Sequence, residues 1–190
     1  MNSPFDVLRT VDHDAALDTY AEKWQRLQVP AHTVLLREGE TAKRLYFIEK
    51  GCLRLWFYHK RKDITFQFFF ENQLVSSPES FHREVPSIFG IESLEQCHLF
   101  ALSRDDYKEM RSSFQEKSPR VLSTIVEIMF DHQLHYMNHL MSFVRDTPAE
   151  RYRKLLELQP GLIQRVPQRY IASYLGITAV SLSRIRSRSA

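Results

Sequence analysis

Several chemistries lack their raw material in this sequence. Cysteine occurs only at Cys52 and Cys97, and two thiolates cannot hold a typical iron–sulfur cluster, which takes four. Both lie in apolar, strand-like runs, where cysteine behaves as a small buried hydrophobe suited to a reducing cytoplasm. No run of 18 or more apolar residues occurs, so neither a membrane span nor a membrane partner is expected. Met1 to Thr10 has no basic stretch leading into an apolar segment, so no secretory leader is expected and the chain reads as cytoplasmic. No Ser–His–Asp arrangement or glycine-rich phosphate loop stands out. A metal-dependent catalytic barrel needs clustered ligands on adjacent strands. Here His59, His82 and His98 are scattered singly, with no His-x-His pair on a strand. An enzyme is not expected, nor is a resident cofactor or metal.

Acidic residues are scarce in one region. Residues 147–190 hold only Glu150 and Glu157 against eight lysines and arginines, a net +6, whereas residues 1–146 carry 18 basic and 21 acidic residues, a net −3. An acidic body with a basic tail suggests that the tail meets a polyanion; a solvated basic surface is the alternative.

The 190 residues, 43% of them hydrophobic, suffice for one substantial core and a small second module. Leu17, Tyr20, Ala21, Trp24 and Leu27 recur at helical spacing, predicting an amphipathic helix over Asp14 to Leu27 that Pro30 ends. From Thr33 to Leu102 the period becomes two. Short apolar runs at Val34–Leu36, Leu45–Ile48, Leu53–Tyr58, Ile64–Phe70, Phe89–Glu92 and Cys97–Leu102 are separated by turn-like clusters, which argues for an antiparallel sandwich or barrel. Helical spacing returns at Asp105–Phe114 and in a long helix that Pro119 opens and that runs to about Phe143. On it Leu122, Val126, Met129, Gln133, Tyr136, Leu140 and Phe143 alternate in steps of four and three, a coiled-coil-like seam that predicts a homodimer. Val121, Ile125 and Ile128, on the opposite side, are placed to face the barrel. His135 and His139 on this helix are four apart, a spacing that can chelate a metal; with His132 they are read instead as partly exposed side chains beside the seam. At Asp146-Thr147-Pro148 the helix breaks. Thr147 as N-cap, Pro148 at the first helical position and Glu150 at the third spell a capping box, and the next helix runs from Pro148 to Leu158. The expected organisation is thus 1–118 as an N-terminal helix plus sensor barrel, 119–146 as a dimerisation helix and 147–190 as a helical DNA-binding domain.

Residues 168–186 carry the most specific pattern. A helix-turn-helix crosses two helices steeply through a very short turn. Ala172 supplies the small residue at the crossing, and Gly176, four positions on, tolerates the positive φ of the turn. Ile171, Leu175, Ile177, Leu182 and Ile185 fill the interior, and Thr178 is a good N-cap for the second helix. Ala179, Val180, Ser181, Ser183, Arg184 and Arg186 are then the candidates to face a major groove. Arg169, Arg184, Arg186 and Arg188 would mostly engage phosphates. Ser181 and Arg184 would read base edges, with Ala179 and Val180 against thymine methyls.

A β-barrel, a long dimerisation helix and a C-terminal helix-turn-helix together resemble the Crp/Fnr family of transcription regulators. Leu35-Leu36-Arg37-Glu38-Gly39-Glu40 and Leu45 to Leu55 are similar to the first strands of that family's cyclic-nucleotide-binding-like barrel, and Gly176, Thr178, Ser181 and Arg184 match its helix-turn-helix pattern. The resemblance implies an α+β fold, an antiparallel barrel or jelly roll with a long helix and a small helical domain. It also implies a homodimer on a roughly palindromic double-stranded DNA site, an effector at the barrel, and RNA polymerase as a further partner.

Two departures qualify it. In relatives that bind cyclic AMP, a Gly-Glu pair and an Arg-Ser pair form the phosphate cassette; here they fall at Ser76-Ser77 and Ser87-Ile88, with Arg83 the nearest arginine. A buried phosphate without a cation is costly, so cyclic AMP is not expected as a tight ligand and these five residues line a pocket for another effector or for none. The family's cytosine-reading glutamate is replaced by Val180, next to Ala179, and the chain stops at Ala190, so the usual C-terminal wing is expected to be short or missing. These departures keep open an alternative, an effector-sensing or scaffold protein that no longer binds DNA specifically.

Overall fold

The computed structural model describes residues 20–117 and 119–189. Eight strands, β1 (Gln25–Val29), β2 (Val34–Leu36), β3 (Arg44–Lys50), β4 (Leu53–His59), β5 (Lys62–Phe69), β6 (Leu74–Val75), β7 (Gly90–Ser93) and β8 (Cys97–Ser103), form two four-stranded antiparallel sheets in the orders β1-β8-β3-β6 and β2-β7-β4-β5. Their facing side chains make one core. Ile48, Leu53, Leu55, Ile91 and Leu99 are all but fully buried there, as period-two alternation requires of a strand with one face inward. With the helices described below, the class is α+β.

The expected helix over Asp14 to Leu27 needs correcting. Residues 14–19 lie outside the described residues; the helical stretch stops at Ala21, and Leu27 belongs to β1, opposite Leu99 of β8. Within these residues a helical and a period-two reading both fit. Leu27 and Val29 are half-buried while Arg26 and Gln28 are exposed, and the ladder of bonds to β8 decides in favour of the strand. Tyr20 and Trp24 pack instead with Phe114 in a separate cluster beneath α2 (Arg104–Lys117). Two elements escaped the periodicity altogether, the two-residue β6 and the short helix α1 (Pro78–Arg83).

Helix α3 (Pro119–Arg145) crosses the barrel, and α4 (Pro148–Leu158) leaves it after a two-residue break. The break has the expected capping box. The Thr147 hydroxyl accepts from the Glu150 N–H at 3.3 Å, and the Glu150 carboxylate accepts from the Thr147 N–H at 2.7 Å. These bonds hold the Glu150 carboxyl below the usual range. Three helices follow: α5 (Leu162–Arg165), α6 (Gln168–Tyr174) and α7 (Ala179–Ser189). Replacing Thr147 by Ala should cost about 1 kcal/mol of unfolding free energy, read as a lower urea midpoint at unchanged slope; an unchanged midpoint would show that the box does not support the junction.

Candidate nucleic-acid interface and its seat on the barrel

The helix-turn-helix is built as its local signals require. Gly176 sits at φ +68°, and a Cβ there would lie 2.7 Å from the Phe143 ring of α3, so both the turn and the approach of the long helix exclude a side chain. The Ile177 N–H donates to the Ala172 carbonyl at 2.9 Å, closing the turn over the buried alanine. Ile171, Leu175 and Leu182 are buried, and Ile177 and Ile185 half-buried, in one cluster with Tyr152, Leu155 and Leu162. Thr178 caps α7: its hydroxyl accepts from the Ser181 N–H at 3.1 Å and bonds the Ser181 hydroxyl at 3.0 Å.

Of the residues expected at DNA, Ala179, Val180, Ser183, Arg184 and Arg188 are exposed on α7, and Arg169 is exposed on α6. Arg186 is half-buried, and so is Ser181, whose hydroxyl is engaged by the cap. Arg169 lies over the Tyr170 ring at 4.6 Å. The basic tail is less free than its charge count suggests. Arg165 pairs with Glu71 and Glu95 of the barrel, Lys154 with Asp146, and Arg151 is buried, donating to the carbonyls of Leu175 and Asp146. Burial opposes ionisation of Glu71, yet Arg165 and the Gly51 N–H outweigh it and hold its carboxyl at about 2.

The module is seated on the outer face of β4 and β5. The first half of β4, Leu53 to Trp56, is buried on both sides. Leu53 and Leu55 face the core, and Arg54, only 2% exposed, lies under the Tyr170 ring at 3.9 Å. Arg54 donates to Glu92 at 2.9 and 2.6 Å, to both Asp63 carboxylate oxygens and to the Thr65 hydroxyl at 3.1 Å. Beside it the Thr65 N–H donates to the Ser173 hydroxyl at 2.9 Å, and Phe68 meets Tyr174 at 5.2 Å between ring centroids. Nothing local in the sequence signals that a second module covers Arg54.

The seam positions divide. Val126, Met129, Gln133 and Leu140 are exposed, whereas Tyr136 packs on Phe66 of β5 at 5.7 Å; Phe143, still 41% exposed, lies under the Arg151 guanidinium and against Gly176. The outward apolar row is therefore Val126, Phe130, Gln133, Met137, Leu140 and Val144, still in steps of four and three. The side chains of Leu122, Val121, Ile125, Ile128 and His132 lie outside the described residues. His135 meets Gln67 at 3.2 Å. His139 stacks on Tyr174 at 4.1 Å and 5°, and burial, with His135 and Arg151 nearby, pushes its pKa down to about 4. Among the described residues no group of three or more His, Cys, Asp or Glu is placed to hold a metal.

The five expected effector residues do not converge on one cavity. Ser76 donates to the Arg44 carbonyl, Ser77 starts α1, and Ser87 closes a turn by donating to the Phe89 carbonyl. Arg83 points outward, paired with Glu79, and Ile88 is exposed. A cavity of about 530 Å³ lies instead between β2, β3 and β7, lined by Leu36, Glu40, Lys43, Arg44, Tyr46 and Ile91 among others. Its cations, Lys43 from the β2–β3 connection and Arg44 at the start of β3, carry no sequence signal of a site. A smaller cavity of about 150 Å³ separates β5 from α3 and the end of α4, lined by Gln67, Phe69, Gln73, His135, Tyr136 and Gln159.

Removing the guanidinium from under Tyr170 tests the seat. Arg54→Leu leaves Glu92 buried without its partner and should lower stability by about 3 kcal/mol, measured by urea unfolding; a loss near zero would show that the pair is not needed for docking.

Comparison with known proteins adds likenesses to this geometry. Residues 26–114 match the cyclic nucleotide-binding domain. No curated protein sequence matches the chain. Among solved structures, it is similar to CLP of Xanthomonas campestris, described as a c-di-GMP responsive global regulator, with a TM-score of 0.74 at 16% identity over 92% of this chain and 91% of that one. It is also similar to FixK2 of Bradyrhizobium japonicum (TM-score 0.73, 17% identity, 87% and 83% covered). The catabolite activator protein of Thermus thermophilus follows at a TM-score of 0.55, 20% identity, and 98% and 86% covered. Residues 26–114 are thus similar to the cyclic nucleotide-binding domain, and the chain as a whole shares its fold with these solved structures.

Proposed function

We propose that the chain is a transcription regulator that binds double-stranded DNA as a homodimer, laying α7 into the major groove. The reading rests on the outward face of α7. Thr178 caps its start, Ser183, Arg184 and Arg188 are exposed along it, and no carboxylate occurs from residue 158 to 190. Arg169, Arg184, Arg186 and Arg188 contact phosphates, and Arg184 also reads a base edge. Val180, 62% exposed, offers an apolar contact that suits a thymine methyl. Two copies join along the outward row of α3, which would otherwise leave Phe130, Met137, Leu140 and Val144 in water. Two-fold symmetry then sets the recognition helices about one DNA turn apart on a roughly palindromic site. An effector in the barrel shifts the balance between two placements of the helix-turn-helix, and the bound dimer engages RNA polymerase. The cavity with Lys43 and Arg44 favours an anionic effector, held without the serine positions of the expected cassette. Among the described residues no helix is long and apolar enough to cross a membrane.

Selection of bound sequences from random DNA, followed by salt titration of the best site, tests the reading. Affinity should fall steeply with salt. A protein that retards no fragment at low salt would instead be a sensor or scaffold, the reading that the apolar Ala179-Val180 pair favours. Arg184→Ala should weaken binding by about 1–3 kcal/mol and broaden base preference; an unchanged binding curve would remove Arg184 from the interface. Leu140→Glu should halve the mass found by sedimentation equilibrium, and a variant that sediments like the wild type would place the dimer contact elsewhere.

A further inference from the structure

The helix-turn-helix rests on α3 at two positions one turn apart. Gly176 of the turn sits on Phe143, and Tyr174 of α6 lies flat on the His139 imidazole, 4.1 Å away and 5° from parallel. Tyr174 is buried and its other neighbour is Phe68 of β5, so this one ring touches the barrel, the long helix and the DNA-binding module. Burial and the nearby His135 and Arg151 disfavour a positive charge on His139. The groups around it on α3 are His135, one turn earlier, and Phe143, whose ring meets the imidazole edge at 5.0 Å. On α4 it is the buried, permanently charged Arg151, which already takes the carbonyls of Asp146 and Leu175. On α6 it is Tyr174, kept neutral by burial. Among the described residues no carboxylate pairs with His139. A protonated imidazole would gain a cation–π contact with Tyr174, but it would be desolvated beside a second cation.

We propose that the His139–Tyr174 stack is a proton-operated latch: with His139 neutral the helix-turn-helix stays seated on α3 and the barrel, and protonation of His139 releases it. This does not depend on what the helix-turn-helix binds. The direction follows from linkage. His139 has its ordinary affinity for a proton when the module is away and a depressed one when it is seated. The seat is therefore at full strength above about pH 6.5, and each unit of acidification below that, down to about pH 4, weakens it roughly tenfold.

Proton NMR of the full chain between pH 7.5 and 4.5 tests the latch. The His139 ring should titrate below pH 5.5 in step with the Tyr174 ring signals and the amides of α6 and α7. His139→Phe, which keeps an aromatic stack but cannot titrate, should flatten that response over the same range, with His139→Gln as a second non-titrating variant should the phenylalanine disturb folding. A His139 that titrates near pH 6.5 while Tyr174 and α6 stay unchanged would overturn the proposal, as would an acid response that survives in a folded non-titrating variant.

Discussion

A guanidinium buried between the two halves of the molecule organises the rest. Arg54 sits on a strand whose opposite side is the barrel core, and it is covered by a tyrosine from the helix-turn-helix. Water is excluded there, so its charge must be met by protein, and Asp63, Glu92 and Thr65 meet it within the same sheet. The outer face of the β4–β5 pair is thereby neither an ordinary solvated surface nor a plain apolar one. It offers a flat cation matched to an aromatic ring, flanked by a backbone donor for Ser173 and an aromatic for Tyr174. The small helical module has a defined seat because that surface is specific, where a purely greasy patch would hold it in many orientations.

The second joint, between Arg165 and the Glu71–Glu95 pair, ties the same module to the barrel at another place. It changes how the charge of the tail should be understood. A count over residues 147–190 treats every arginine as available, whereas Arg151 and Arg165 are committed inward and leave Arg169, Arg184, Arg186 and Arg188 as the cations of α6 and α7. The same chemistry thus serves two ends, cohesion on one side of the module and a positive surface on the other.

Legibility followed the range of the interaction. Thr147, Gly176 and Thr178 announce themselves in sequence because a cap or a turn is decided by neighbours within four residues, and each sits as read. The strands of the barrel were visible as period-two runs, but their order was not, since pairing Gln25–Val29 with β8 joins residues some seventy positions apart. A still longer separation, from residue 54 to residue 170, hid the cover over Arg54. On α3 the step of four and three was legible while its direction was not: Val126, Gln133 and Leu140 of the expected seam face outward, whereas Tyr136 turns inward onto Phe66. The effector residues depended on likeness to a cassette whose key arginine is absent, so the sequence offered positions without the chemistry to occupy them.

The contact of Gly176 with Phe143 has a mechanical meaning. A hydrogen is all that fits between the backbone of the turn and the edge of the ring. Sliding of the helix-turn-helix toward the ring drives atoms together, and sliding away loses dispersion contacts. Such a fit behaves like a detent.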